Sequence, residues 1–420
     1  AEAQAAPRTE FENGIRAALW GSRRNLEANL TAAIPGDQKS TARALSQARL
    51  GIVDELNQPS GPESQLGPYF GFIGPAVDPA DPRLSQPLYV TTLERFATCP
   101  WQTFLERVLR LETLPDPVDI LPGLEPFAIG QLVHRVLEQL VAQGFDQNPS
   151  SLEEARSQDA QSAPWPIEEE LKRTVNRQAD LVARDQGIVW DGYSAILGAV
   201  VMPFLEQARE LIWGSPEGGR PVGVEMDCGV AVGQGEGVET LRFKADRVDS
   251  IAGRLMITDY KTNRHGVSSS KTKKTRDRHL LAEIGKGRLL QAAAYARAAG
   301  HPEDSGRYVF LRPDFTGTQE SRIVSLQNSD VEIQHAFETA VSTLLGSWHG
   351  GTFFPRLVEP GRDSEPGACQ YCAVAEACLR GDSGTRGRLR DWSEADREHT
   401  LTEQALLETW SLGSKRGSTS

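Results

Sequence analysis

Two aspartates and a lysine stand close together in the stretch DRVDSIAGRLMITDYK, which runs from Asp246 to Lys261. Asp259 and Lys261 are two residues apart, so in a strand their side chains leave the same face. A turn at Ala252–Gly253 would fold the stretch into a hairpin and bring Asp246 beside them. Two carboxylates next to a lysine suit metal-assisted phosphodiester hydrolysis. The carboxylates hold a hard divalent cation, and the lysine orients or helps to deprotonate the attacking water. A hairpin with a solvated, charged face is the alternative for this triplet taken alone.

Regular elements must position these residues, and the hydrophobic periodicity predicts them. Apolar alternation predicts strands at about 221–232, 240–251 and 254–261, with a further strand at 307–311. The glycines of GQGEG, between the first two strands, are not followed by a helix, which excludes a dinucleotide-binding loop. Glu225 in the first strand could add a carboxylate near a metal, although a surface salt bridge is the simpler interpretation. Helical periodicity predicts helices at 127–144, 166–185, 189–213, 283–299 and 329–348.

Three polar residues on two of these predicted helices could join the site. His134 lies at the margin of the apolar stripe of the helix at 127–144, a position where an isolated histidine is usually only packed or solvated. Gln291 and Tyr295 are four residues apart, so they share one face of the helix at 283–299.

Four of the five cysteines, Cys99, Cys369, Cys372 and Cys378, have a ligand-like arrangement, and Cys228 is left over as a buried thiol. An odd number in this pattern does not indicate a disulfide framework, so we expect a reducing cytoplasm. Four thiolates suit zinc or an iron–sulfur cluster, and the spacing alone does not choose between them. Closing the long loop between the first two ligands costs about 5 kcal/mol. A structural metal site, worth about 10–16 kcal/mol in zinc fingers, can offset that cost. The pattern therefore predicts a staple that joins the two ends of a domain.

Taken together, these motifs resemble the PD-(D/E)XK nucleases of the RecB type. The resemblance rests on G-x-x-x-H at 130–134, on Asp246 followed by Asp259-Tyr260-Lys261, and on Q-x-x-x-Y at 291–295. One cysteine before the domain and C-x2-C-x5-C after it are similar to the iron–sulfur branch of that family. Within the branch, the chain most resembles the C-terminal nuclease domain of AddB-type helicase–nuclease subunits.

The resemblance implies an α/β fold: a restriction-endonuclease-like αβββαβ core, a mixed sheet flanked by helices, with helical insertions and the four-cysteine staple. It implies that His134, Asp246, Asp259 and the Tyr260 carbonyl hold Mg²⁺ or Mn²⁺, and that Lys261 acts on the water. Gln291 and Tyr295 would order the active site and touch DNA. The staple would hold a 4Fe–4S cluster in preference to zinc. The implied function is an exonuclease acting on DNA, with single-stranded ends as its substrate, in a helicase–nuclease complex for double-strand-break repair and recombination.

Charge and composition limit how DNA could be bound. The 420 residues carry a net charge of −12, which argues against a nucleic-acid binder over its whole surface. Residues 261–279, however, contain seven Lys or Arg and one Asp. We interpret this stretch as a mobile loop in which Lys271, Lys273 and Lys274 guide phosphates, with a merely solvated loop as the alternative. No apolar run reaches the length of a membrane span. No P-loop motif is present, so any ATP motor belongs to another segment or subunit.

Three segments are expected along the chain. Residues 1–85 read as a helical and linker remnant of an upstream domain, and the missing initial Met suggests part of a longer protein. Residues 86–385 form the nuclease domain, and 386–420 form a helical tail that could contact a partner. Two other functions remain open: a DNA-binding module of a repair complex with little cleavage of its own, and a zinc-stapled structural protein. The intact Asp-Asp-Lys set favours the enzyme.

Overall fold

A five-stranded mixed sheet lies at the centre of the structure, which is a computed structural model. Four neighbouring pairs are formed in the order β1-β2-β3-β4-β5; β3 and β4 are parallel and the other pairs are antiparallel. The strands are β1 Arg220–Val232, β2 Glu239–Ile251, β3 Arg254–Lys261, β4 Ser305–Phe310 and β5 Ile323–Gln327. The first three agree with the predicted strands to within one residue at each end. The short, half-exposed β5 adds an edge strand that the hydrophobic pattern did not predict.

The structure describes most of the chain from residue 66 onwards. The described residues are 44, 47, 51, 66–112, 124–144, 147–159, 162–188, 190, 192–214, 220–233, 237–263, 272–314, 318–358, 366–381, 383–395 and 400–412. The predicted segment 1–85 lies mostly outside them.

Nine longer helices accompany the sheet in the described part of the chain, and none of them is long and apolar enough to cross a membrane. They are α1 Val90–Thr98, α2 Pro126–Ala142, α3 Glu168–Asp185, α4 Tyr193–Ala208, α5 Lys273–Gly285, α6 Gln291–Ala299, α7 Val331–Gly350, α8 Ser383–Glu394 and α9 Leu401–Trp410. Shorter helical segments are Pro68–Phe70, Pro82–Ser85, Pro100–Thr103, Phe104–Val108, Leu152–Ser157, Arg209–Trp213, Gln319–Arg322, Gly367–Tyr371, Ala375–Ala377 and Leu379–Gly381.

The helix predicted at 283–299 is wrong as a single element, because it is divided between α5 and α6. The chain turns between them at Gly287 and Leu289, whose φ angles are 75° and 53°. A side chain at Gly287 would lie 2.7 Å from Ala97 Cβ, so only glycine allows this close approach. The predicted loop at 261–279 is also too long, since α5 already begins at Lys273. Good helix formers and the buried pair Leu280 and Ile284 explain this early start.

The C-terminal segment, predicted as a helical tail at 386–420, likewise contains two separate helices, α8 and α9. Thr400 and Glu403 form a capping box that begins α9. Trp392 of α8 and Trp410 of α9 are buried in one apolar cluster, and Trp410 stacks on Phe354 at 5.1 Å. Both helices therefore pack on the rest of the fold.

The sheet has a separate apolar core on each face. The first core lies between one face of the sheet and the helices α1, α6 and α7. It includes Ile257 of β3 and Tyr295 of α6. Residues of α2, α3 and α4 form the second core with Tyr260 and Val309 on the other face. Side chains alternate along β3, so Asp259 and Lys261 share the face of Ile257 and lie toward α6.

Candidate active site

The hairpin of β2 and β3 brings the two aspartates together. Ala252 and Gly253 both have positive φ angles, 51° and 80°, as a tight hairpin turn requires. Across the hairpin, the backbone N–H of Tyr260 donates to Asp246 Oδ2 at 2.6 Å. The carboxylate of Asp246 therefore lies directly beside the Asp259-Tyr260-Lys261 segment, as the sequence predicted.

Asp259 and Lys261 form a nearly buried ion pair. Lys261 Nζ lies 2.7 Å from Asp259 Oδ2, and the two side chains are 23% and 7% exposed. Burial raises the pKa of Asp259, against the lowering effect of the Lys261 ammonium. Burial lowers the pKa of Lys261, but the Asp259 carboxylate outweighs that effect and raises it above its ordinary value. The lysine is therefore a protonated, positively charged group in this arrangement.

Gln291, the first residue of α6, bridges the ion pair. Its Oε1 accepts a hydrogen bond from Lys261 Nζ at 2.8 Å, and its Nε2 donates to Asp259 Oδ1 at 3.2 Å. Nε2 also lies 3.1 Å from the hydroxyl of Tyr295, which donates to the Lys244 carbonyl at 3.1 Å. Gln291 is 6% exposed and Tyr295 is fully buried. The two side chains order the ion pair from inside the protein, and Tyr295 as placed here has no surface with which to touch DNA.

Helix α6 is held against β4 at a glycine. A side chain at Gly306 would come within 2.7 Å of Tyr295 Cβ and 2.8 Å of the Ala292 carbonyl carbon. Real Cβ atoms essentially never make contacts this short. The absence of a side chain at Gly306 therefore sets the distance between β4 and the helix that carries Gln291.

His134 reaches the same site from α2. Its Nδ1 lies 3.3 Å from Asp246 Oδ1. Gly130, one turn earlier, would place a Cβ 3.1 Å from Thr262 Oγ1, which explains the glycine of the G-x-x-x-H motif by the close approach of α2 to the end of β3. The structure thus brings together the predicted residues His134, Asp246, Asp259 and Lys261.

Glu225 also belongs to this cluster. The cluster contains one ligand atom each from His134, Glu225 and Asp246, and these atoms lie within 4.8 Å of one another. That spacing could hold a metal ion. Asp259 is not part of the group. Glu225 has a φ of 49°, a strained conformation for a residue other than glycine. Its Oε2 also lies 2.5 Å from Lys244 Nζ. The surface salt bridge predicted for Glu225 is therefore present, but at a position that can supply a metal ligand as well.

The carboxylates control the charge of His134. Burial lowers the pKa of this imidazole, but Asp246, with smaller effects from Asp259 and Glu225, raises it to about 9. The histidine is therefore protonated at neutral pH in the absence of a cation. A divalent cation that uses the imidazole as a ligand must displace this proton.

The four predicted ligand cysteines line one pocket at the C-terminal end of α1. Burial raises the pKa of Cys99 and Cys378, the latter to about 11. Backbone N–H groups oppose this effect by hydrogen bonding to the sulfurs, those of Gln102 and Arg356 to Cys99 among them. Such donors stabilise thiolate ligands.

Among the described residues, no three thiols lie within 4.8 Å of one another. Tetrahedral zinc would draw its sulfurs to about 3.8 Å. Cys228 lies apart, in the apolar core along β1.

The predicted DNA-binding lysines are only partly described. Lys273 and Lys274 are exposed on the first turn of α5, and Lys271 lies outside the described residues.

A buried ionic network on the opposite face of the sheet was not predicted. Arg247 makes two hydrogen bonds of 2.9 and 2.7 Å to Asp249 Oδ1 and lies 4.7 Å above the Trp213 ring. Arg307 of β4 lies 3.5 Å from Asp249 and donates to Thr258 Oγ1 at 2.8 Å. These contacts join β2, β3 and β4 beneath the site. The sequence signal that could have predicted this network is an arginine and an aspartate two residues apart on a predicted strand.

The chain is similar to known proteins in sequence and in structure. Residues 87–379 match the model of the PD-(D/E)XK nuclease superfamily. No curated protein matches the chain. The crystal structure of SSO0001 is similar to the chain with a TM-score of 0.21 and 14% identity, over 59% of this chain and 94% of that chain. A similarity at that TM-score supports no argument about function.

Proposed function

The chain belongs to the PD-(D/E)XK nuclease superfamily, and from this premise we propose that it is a Mg²⁺- or Mn²⁺-dependent deoxyribonuclease that cleaves phosphodiester bonds. The observation that carries the proposal is the convergence of Asp246, Asp259 and Lys261 across one hairpin, with Gln291 bridging the last two. A solvated, charged hairpin does not explain this arrangement, because the Asp259–Lys261 pair is largely buried.

The residues around His134 fit a hard divalent cation. Carboxylate oxygens are the preferred donors for Mg²⁺ and Mn²⁺, and a neutral imidazole is a further ligand. We assign His134, Asp246 and Glu225 to the cation, and Asp259 and the Tyr260 carbonyl would be further ligands. Asp259 is close enough to raise the pKa of His134, which supports a shared site. When bound, the cation supplies an activated water and neutralises charge on the phosphate.

Lys261 serves as a fixed positive charge in this proposal. Its raised pKa keeps Nζ protonated at neutral pH, so it donates hydrogen bonds and does not accept a proton. We propose that it orients the attacking water and offsets charge on the scissile phosphate. The hydrogen bond to Gln291 limits the motion of Lys261 Nζ. The Asp259 carboxylate stabilises the protonated form of Lys261.

The proposed substrate is DNA with a single-stranded end, and the proposed mode is exonucleolytic. Exposed Lys273 and Lys274 on α5 follow the catalytic strand in sequence and offer phosphate contacts. The motif order supports a role like that of the AddB-type nuclease domain, with a helicase partner, in double-strand-break repair and recombination.

We also propose a 4Fe–4S cluster in the cysteine pocket. Cys99, Cys369, Cys372 and Cys378 line the same pocket, and backbone N–H groups already point to two of the sulfurs. Four thiolates suit either zinc or a cluster, and the resemblance to the iron–sulfur branch favours the cluster. The cluster would be structural and would join α1 to the segment at 366–381. A cluster with thiolate ligands fits the reducing cytoplasm expected from the cysteine pattern.

The test is cleavage of end-labelled single-stranded DNA by purified protein in Mg²⁺ or Mn²⁺ and in EDTA. Asp259→Asn, which keeps the side-chain volume, is the matched variant. We expect cleavage that requires the cation and is lost in the variant. The proposal would be refuted if the folded protein bound DNA in a mobility-shift assay but did not cut it in either cation. That result would instead indicate a DNA-binding module.

A further inference from the structure

Glu94 is an acidic residue on the buried side of α1. Val90 and Ala97, four residues before it and three after it, are buried, so helical spacing places Glu94 on the apolar stripe. Its Oε1 accepts a hydrogen bond from the backbone N–H of Leu290 at 2.6 Å, a contact between residues 196 positions apart. The backbone N–H of Gln291 is a second donor to this carboxylate.

These N–H groups belong to the start of α6, where a helix leaves its first donors without partners. Leu290, the N-cap residue, has no side chain that can accept them. Glu94 supplies the missing acceptor from another helix. Ala292 N–H has a second tertiary partner, the Tyr308 hydroxyl of β4, at 3.0 Å. The N-terminus of α6 is therefore held by side chains from α1 and β4.

Glu94 also interacts electrostatically with Lys261. The Lys261 ammonium lowers the pKa of Glu94, and Glu94 in turn raises the pKa of Lys261. Burial has the larger effect on Glu94 and raises its pKa to about 7. Asp259 contacts the Lys261 ammonium directly at 2.7 Å, and Glu94 adds a second negative charge that acts on it.

We propose that Glu94 is a positioning residue for the nuclease reaction: it anchors the first turn of α6 so that Gln291 holds Lys261 against Asp259. The inference rests on the proposed function of the site. Glu94 acts through Gln291, since its carboxylate accepts from the backbone N–H groups at the start of α6. The chemical groups of the site can all be present and still be misplaced when this anchor is lost.

The test compares Glu94→Ala, which removes the acceptor, with Glu94→Gln, which keeps an acceptor oxygen at similar volume. Asp330→Ala is the matched control, because Asp330 caps α7 by accepting from Ile333 N–H, far from any site residue in sequence. We expect Glu94→Ala to lower kcat about 100-fold, as for a misplacement of about 1 Å. In Glu94→Ala the KM for DNA should change little. The kcat of Glu94→Gln should stay within about tenfold of the parent value, and Asp330→Ala should keep the parent kcat.

A second measurement separates positioning from general destabilisation. In a Gln291→Ala background, replacing Glu94 should cause little further loss of kcat, since the two residues act as one unit. Independent, multiplying losses would overturn the inference, as would a parent-like kcat in Glu94→Ala. If Glu94→Ala does not fold, Glu94→Asp replaces it, because the shorter side chain cannot reach Leu290 N–H.

Hydrogen exchange supplies a readout that does not need activity. The amides of Leu290 and Gln291 should exchange faster in Glu94→Ala than in the parent, and unchanged exchange there would contradict the anchor itself. A parent protein that folds but cuts no DNA would count against the proposed function, and the exchange result would still decide whether Glu94 holds α6.

Discussion

Replacing Gly306 by alanine tests whether the spacing of β4 and α6 sets the geometry of the active site. Gly306 lies outside every motif and carries no functional group, so it cannot take part in the chemistry. Its backbone packs against α6 at Ala292 and Tyr295. The substitution adds one methyl group at this contact and changes the chemistry of no candidate active-site side chain.

The expected displacement follows from the contact distances. The new Cβ would lie 2.7 Å from Tyr295 Cβ, whereas ordinary contact begins at 3.4 Å. The helix must therefore move by about 0.7 Å, the difference between these distances, and the Ala292 carbonyl requires more. Gln291 moves with the helix and loses its 2.8 Å hydrogen bond to Lys261. A misplacement of about 1 Å can cost about 100-fold in rate, and overpacking costs about 1–3 kcal/mol of stability.

The assay is single-turnover cleavage of single-stranded DNA in saturating Mn²⁺, together with the free energy of unfolding. Gly346→Ala is the control, because Gly346 is an exposed position inside α7 with open space around it. That change should raise stability by about 0.5–1 kcal/mol and leave the rate unchanged. Parent-like cleavage by a folded Gly306→Ala protein would show that the position of α6 does not control the site.

Three further predictions concern the site and the cysteine pocket. Lys261→Met should abolish cleavage while the protein remains folded by circular dichroism, and measurable cutting by this variant would remove Lys261 from its role. The raised pKa of His134, about 9, means that protons compete with the cation below that pH. Calorimetry should therefore find Mn²⁺ bound more tightly at pH 9 than at pH 7, whereas His134→Ala should weaken binding and flatten this dependence. Cys99→Ser should lose iron and melt at a lower temperature than the parent; a variant that keeps the parent melting temperature would show that the staple is not structural.

The local parts of the fold follow from the sequence. Alternating apolar residues on both sides of Ala252–Gly253 define the hairpin of β2 and β3 almost to the residue. A hairpin with a two-residue turn has a fixed register, and that register places Asp246 beside Asp259. The acid pair and the lysine are therefore predictable from short-range information alone.

Contacts between distant elements are not encoded in any local pattern. No residue pattern in β1 predicts the positive φ of Glu225, and the turn at Leu289 accompanies the packing of Gly287 against Ala97 of a distant helix. Glu94 gave one sequence signal, a carboxylate on an apolar helical stripe, but its partner at Leu290 could not be identified without the fold.

These two classes of information correspond to two requirements for the proposed activity. The hairpin supplies the charged groups, whereas α6 decides whether Lys261 and Asp259 are held in one arrangement by Gln291. The position of α6 is set in turn by Glu94 at its first turn and by Gly306 along its side. A chain could therefore keep each motif residue and still be inactive if either support were lost. The presence of the motif residues is therefore not enough for a working site in this fold, because Glu94 and Gly306, which position α6, lie outside the motifs.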